Sequence, residues 1–223
     1  MNYTLIRSKR KTCAICIQNG AVLVRAPLCM PKSEIDRFID AKAGWIKAKI
    51  AEASVREKAQ AAFSLSYGDR VPYCGKEYPI VARQGIRAGF SGDCLFMPPD
   101  LSVGQIKSAC VMIYRMCGKA VLTKKALAFA KLMGVTPAAV KINGAKTRWG
   151  SCSGKKNLNF SWRLMMADDR VIDYVVVHEL AHIKEMNHSA AFWAVVAQTL
   201  PNYKECKKAL GDLQKRLAAQ DWS

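Results

Sequence analysis

The chain has 223 residues, 51% of them hydrophobic, and a formal net charge of +18. That composition excludes an intrinsically disordered chain, and the length suffices for one large domain or two small ones with a sizeable core. The charge favours polyanions, nucleic acid and nucleotides among them, although basic residues spread from Lys9-Arg10-Lys11 to Lys207-Lys208, a pattern that general solubility also explains.

From the N-terminus, residues 1–7 carry no signal-peptide core, and no apolar run approaches a membrane span, so a cytoplasmic location without membrane contact is expected. Runs at 3–7, 13–17 and 22–25 predict strands, with Asn19-Gly20 as the hairpin turn between the last two. Of nine cysteines, only Cys13 and Cys16 form a close pair, and on a strand they face opposite ways. With no second pair for a zinc ribbon, the cysteines read as buried thiols. Pro31-Lys32-Ser33-Glu34 predicts the start of a helix that carries Ile35, Phe38, Ile39, Trp45, Ile46 and Ile50, with Trp45 as a packing anchor. Residues 55–66 read as helix tail or linker. Strands are predicted at 70–73, 77–83 and 93–97, with Cys74-Gly75-Lys76 as a tight turn and Pro98-Pro99 closing the last.

A long helix is predicted from Ser102 to Met133, with Val103, Ile106, Cys110, Ile113, Cys117, Val121, Leu127 and Ala128 on its core face. Gly134 and Pro137 end it. Strand returns at 140–142. Residues 146–153 and 158–164 predict two antiparallel strands joined by Gly154-Lys155-Lys156-Asn157. Alternation in the second sets Leu158, Phe160, Trp162 and Leu164 against Asn159, Ser161 and Arg163. Asp168 is the predicted N-cap of a buried helix through Val171, Ile172, Tyr174 and Val175. A short helix through Phe192, Trp193, Val196 and Leu200 is broken by Pro201, and 203–217 form a basic terminal helix. This order predicts an α+β protein: a β-hairpin and helix region over 1–100, then a domain over 101–223 whose helices pack beside a small antiparallel or mixed sheet.

The chemistry concentrates at His178-Glu179-Leu180-Ala181-His182. Helical residues four apart stack, so His178 and His182 offer two imidazoles to one point, with Glu179 beside them. Two nitrogen ligands plus a carboxylate to work on a bound water is the physical content of the H-E-x-x-H zinc signature. The preceding Val175-Val176-Val177 buries the helix, where imidazoles are costly without a partner. The plain alternative is two hydrogen-bonded core histidines. A catalytic zinc takes three protein ligands and keeps one open position. His188 lies beyond His182 at the metzincin interval, but Glu185 stands where those proteins place a turn-making glycine. Asn187 is expected to supply the left-handed residue instead. Glu185 and Glu205 compete as third ligand. Glu179 is the expected general base, with Arg148, Tyr174 and Tyr203 as possible stabilisers of an oxyanion, Tyr174 alternatively being core.

Together, Arg148-Trp149-Gly150-Ser151-Cys152, the helix Val177–His182 and Asn187-His188-Ser189-x-x-Phe192-Trp193 resemble the YgjP-like metallopeptidase family. Trp45 after Pro31, the middle β region and Pro201-Asn202-Tyr203 extend the resemblance along the chain. It implies a small zincin-like fold in which His178, His182 and His188 bind Zn2+ and Glu179 is the catalytic acid/base. The related SprT-like proteases, which cut proteins crosslinked to DNA, share a similar helix and often add a zinc-binding tail that this chain is expected to lack. Peptide hydrolysis is the expected activity, with 158–164 as an edge strand for an extended peptide. Lys146, Arg148, Lys155, Lys156 and Arg163 suit phosphates equally, and the resemblance admits nucleoside-triphosphate (UTP-like) pyrophosphohydrolysis at the same metal site. A basic DNA-associated module with a structural zinc is the non-enzymatic alternative, and it has no need of Glu179.

Overall fold

The computed structural model describes residues 1–18 and 20–222, which fall into two compact units. One is Met1–Phe63 with Ala218–Asp221, the other Ser64–Leu217 with Trp222. The chain therefore divides after Phe63 and not at residue 100. The strands of 70–97 are tied to later segments of their own unit: Cys74 N–H donates to Met165 O at 2.8 Å, and the Tyr114 hydroxyl to Pro72 O at 2.6 Å.

In the first unit, β1 (Thr4–Ser8), β2 (Ala14–Gln18) and β3 (Ala21–Pro27) form a sheet of order β1-β3-β2, with β2 antiparallel and β1 parallel to β3. The expected β2–β3 pairing is present, while Asn19 of its expected turn lies outside the described residues. Alternation along β3 buries Val22, Val24 and Ala26 against Ile35, Ile39 and Ile46. The single helix expected from Pro31 is two, α1 (Lys32–Ala41) and α2 (Ala43–Ala62), broken at Lys42 (φ −106°, ψ 8°). The break rotates Ile46 into the core and leaves Trp45 47% exposed, so Trp45 is no packing anchor. Helix α2 takes up most of the stretch read as tail or linker.

In the second unit, β4 (Arg70–Tyr73) and β5 (Lys76–Ala82) are joined through Cys74-Gly75, both at positive φ (47° and 82°), the two-residue turn whose twist suits a hairpin. β5 runs parallel to β7 (Cys94–Met97), which pairs antiparallel with β6 (Gly89–Ser91), a three-residue strand absent from the sequence expectation. Helix α3 (Val103–Met133) opens with a Ser102/Gln105 capping box and ends at left-handed Gly134. Its buried face is Ile106, Cys110, Tyr114, Gly118, Leu122, Ala126 and Ala130. The expected face is thus wrong at Val103, Leu127 and Ala128, all exposed. Small residues mark the true face: a Cβ on Gly118 would stand 3.4 Å from Met165 Cγ, so close packing there needs a residue without bulk.

β8 (Ala139–Asn143), β9 (Gly150–Cys152) and β10 (Asn157–Ser161) form a sheet of order β8-β10-β9, with β10 parallel to β8 and antiparallel to β9. The expected antiparallel pair exists, but 158–164 is not an edge strand: β10 is central and β9 lies at the edge. The expected alternation also stops at Ser161, because Trp162–Met166 wind into a 3-10 turn with all five residues buried. Arg163 is inside, its Nη1 donating to Gly144 O at 2.9 Å and its guanidinium 4.4 Å over the Trp162 ring. Helix α4 (Asp169–Ala181) packs against α3, β9 and α5 (Ala190–Thr199), and α6 (Tyr203–Ala218) is the last helix. Asp168 occupies the N-cap position of α4, yet its side chain makes no capping bond. It lies against Gly75, where a Cβ would meet Asp168 Oδ1 at 2.9 Å. The described residues thus form an α+β fold of helices and small mixed sheets, with no helix long and apolar enough to cross a membrane.

Candidate metal centre

Helix α4 is apolar on nearly every side, with Val175, Val176, Val177, Leu180 and Ala181 buried, so its last turn is held rigidly by packing. His178 and Glu179 lie in that turn and His182 is the C-cap. The chain then tightens: Lys184 and Glu185 N–H both bond Ala181 O, at 3.0 and 2.9 Å. This brings Glu185 O to 3.1 Å from His182 Nδ1, a contact that fixes the proton on Nδ1 and leaves the Nε2 lone pair free. Asn187 is not left-handed, so the return of His188 rests on this tightened turn and not on a special residue. Ser189 starts α5 by accepting the Phe192 N–H at 3.3 Å, which sets Phe192 one turn beyond His188.

The result is a convergence of three imidazoles. His188 Nε2 and His178 Nε2 are 3.1 Å apart, and one ring nitrogen from each of His178, His182 and His188 lies within 4.8 Å of the others. Two nitrogens bound tetrahedrally to one zinc at about 2.0–2.1 Å stand about 3.4 Å apart, so the observed spacing fits a shared ion. Glu185 and Glu205 are not in this group. Burial pushes His178 down to about 3, helped by His182, His188 and the charge of Lys207. Its imidazole is therefore neutral at physiological pH and its lone pair is available. His182 is lowered as well, chiefly by burial. A neutral three-nitrogen donor set suits Zn2+ and other divalent transition ions. His178 Nδ1 is buried without a hydrogen-bond partner, so on that side aromatic packing orients the ring.

Phe192 and Trp193 supply that packing, and sequence reasoning did not place them in the site. Fully buried Phe192 sits 4.9, 4.6 and 4.7 Å, centre to centre, from the rings of His178, His182 and His188. Trp193 stacks on His188 at 5.8 Å and on Tyr203 at 5.2 Å, and Tyr203 stacks on Tyr174 at 6.4 Å. The signal was their position just after the Ser189 cap, on the first turn beyond His188.

Glu179 is 5% exposed, and burial raises its pKa to about 7 against the lowering effect of Arg148. Its side chain lies on Gly150 of β9, where a Cβ would fall 2.6 Å from Oε1. Glycine is thus what lets the edge strand pass over this carboxylate. Arg148 is exposed and near enough for its charge to be felt at Glu179. Tyr174 is buried, its ring 5.9 Å from that of His178 and its hydroxyl pushed up to about 12, mainly by burial, so it is a neutral phenol. Of the five expected phosphate-facing cations, Lys146, Arg148, Lys155 and Lys156 are exposed or partly so, whereas Arg163 is committed to the interior.

The family model described as YgjP-like, metallopeptidase domain, matches residues 11–212. No curated protein matches the sequence. Among solved structures, the metallopeptidase zymogen of Pyrococcus abyssi abylysin is 22% identical, covering 40% of this chain and 90% of its own, with a TM-score of 0.38. The metallopeptidase zymogen of Methanocaldococcus jannaschii jannalysin is 21% identical, covering 43% of this chain and 96% of its own, with a TM-score of 0.37. Since the family model spans nearly its whole length, this chain belongs to the YgjP-like metallopeptidase family.

Proposed function

We propose that the protein is a zinc-dependent peptidase in which His178, His182 and His188 hold the metal and Glu179 moves the proton. The observation that supports this is the convergence of three imidazole nitrogens within 4.8 Å beside a carboxylate buried under β9. Zn2+ bound by these three histidines would supply a Lewis acid for the scissile carbonyl and for the attacking water. Glu179, buried beside the three imidazoles, takes the proton of the attacking water and returns it to the leaving amine. An extended peptide pairs with the outer edge of β9, the role first expected of 158–164. Arg148 is the best placed of the three expected oxyanion stabilisers, being exposed and felt electrostatically at Glu179. Tyr174 and Tyr203 act as a wall that fixes the ligand rings.

The test is the purified protein loaded with zinc and assayed on casein-like peptides and on UTP, with Glu179→Gln alongside. Cleavage of peptides is expected, falling roughly 10²–10⁴-fold in Glu179→Gln at unchanged zinc content. Turnover of UTP alone would replace the peptidase reading with nucleotide hydrolysis. Equal activity in both proteins would remove Glu179 from the mechanism.

A further inference from the structure

The side-chain charge that reaches His178 and Glu179 from outside the histidine cluster is positive. The ammonium of Lys207, on α6, stands 4.9 Å from the centre of the Trp193 ring, and that ring stacks on His188 at 5.8 Å. Lys207 is also felt at His178. Arg148, just before β9, is felt at Glu179. The other groups acting on these residues are the histidines themselves and the backbone at Glu185 and Met186. Among the described residues, no carboxylate lies within ion-pair distance of Lys207 or Arg148. A cation on an aromatic face is held in place by the ring quadrupole, yet it keeps its charge available for a ligand. Lys207 is held in this way on Trp193, Arg148 adds a second positive charge on the Glu179 side, and a bound divalent ion would add to their sign.

We infer that Lys207 is a specificity-determining residue which, with Arg148, makes this centre select peptides bearing a carboxylate side chain near the scissile bond. The inference rests on the peptidase reading and narrows its substrate class to acidic peptides. Lys208, the next residue on α6, points about 100° away around the helix and serves as the internal comparison.

The experiment walks a single Glu, paired with Gln at the same position, through an otherwise neutral peptide and measures cleavage by the zinc-loaded full chain. At one or two positions the Glu peptide should be preferred about three- to fivefold in kcat/KM, carried by KM. The preference should shrink as salt is raised. Lys207→Gln should lower the ratio to the share that Arg148 carries, Lys207→Glu should lower it further, and Lys207→Arg and Lys208→Gln should retain it. Anisotropy of labelled peptides on Glu179→Gln should show the same order in affinity without turnover. Equal Glu and Gln peptides at every position, or a ratio unmoved in both Lys207→Gln and Lys207→Glu, would overturn the inference while leaving the peptidase reading intact. Failure to cleave any peptide, neutral ones included, would overturn both.

Discussion

The closest steric constraint in the centre is between Gly150 and Glu179. A methyl group at position 150 would fall 2.6 Å from both Glu179 Cγ and Oε1, so the carboxylate must move. Displacement of a proton-transfer group by about 1 Å costs on the order of 100-fold in rate. Gly150→Ala is therefore expected to lose about that much kcat while keeping its zinc, whereas Gly154→Ala, with nothing within 4 Å, should match the parent. Steady-state kinetics with metal analysis on both variants checks this, and a fully active Gly150→Ala would show that Glu179 works from another position. At this scale the sequence was legible where helical period alone sets the geometry, as for His178, Glu179 and His182. His188 needed a turn, and the device expected for it, Asn187, is not the one used, because hydrogen bonds to the Ala181 carbonyl do the turning. Phe192 was hidden for another reason: an apolar residue in an apolar helix reads as core whether or not it supports a ligand.

Among the elements, α4 must be held at a fixed depth, and Lys125 of α3 contributes to this by bonding Asp169 at 2.9 Å and Asp173 at 2.6 Å. Burial opposes the Lys125 charge, but the hydrogen bonds it donates to Asp173 and Asp169, with their negative charge, win and raise its pKa. A raised lysine pKa means that the folded state holds the proton more tightly than the unfolded chain. The contribution is therefore complete below the ordinary lysine value of about 10.4 and lost as pH climbs through the higher folded value. Lys125→Met should be less stable than the parent by about 1 kcal/mol at neutral pH, and the gap should close above pH of about 10.4. Urea unfolding of both proteins across that range measures it, and a gap independent of pH would place the effect in packing instead. Elements with strong periodicity were readable, α4 above all. β9 was expected as part of a longer strand over 146–153, but a three-residue strand of Gly, Ser and Cys carries little β preference, and so the edge was assigned to its longer neighbour. The 3-10 turn after β10 escaped for the opposite reason, since residues buried all round imitate alternation at every second position.

For the chain as a whole, the division after Phe63 falls within the stretch 55–66 read as helix tail or linker, but α2 runs to Ala62 without a Pro or Gly to mark the point, while Pro98-Pro99 looks like a boundary but leads from β7 towards α3 inside one unit. Folding is expected to precede metal binding. The triad is anchored by α4, whose valines are buried against protein, and its most buried ring, His178, is neutral without an ion. The cost of burying the ligands is thus met by the fold, and the metal-free protein should remain folded, unlike small domains that need zinc to fold. Chelation should leave the far-ultraviolet circular dichroism intact and lower the melting temperature. Zinc at 100-fold over its Kd adds about 2.7 kcal/mol, which is about 5–10 °C for a domain of this size. The metal-free protein should also weaken in acid. With the folded His178 pKa depressed to about 3, the unfolded imidazole takes up a proton near its ordinary value of about 6.5 while the folded one does not, so stability falls as pH drops below that value. Calorimetry with and without zinc, from a pH of about 7.5 down to about 5, brackets that value and reads both effects together. Loss of the dichroism signal on chelation would make the ion part of the folding nucleus, and a melting temperature indifferent to zinc would take the metal away from these three histidines.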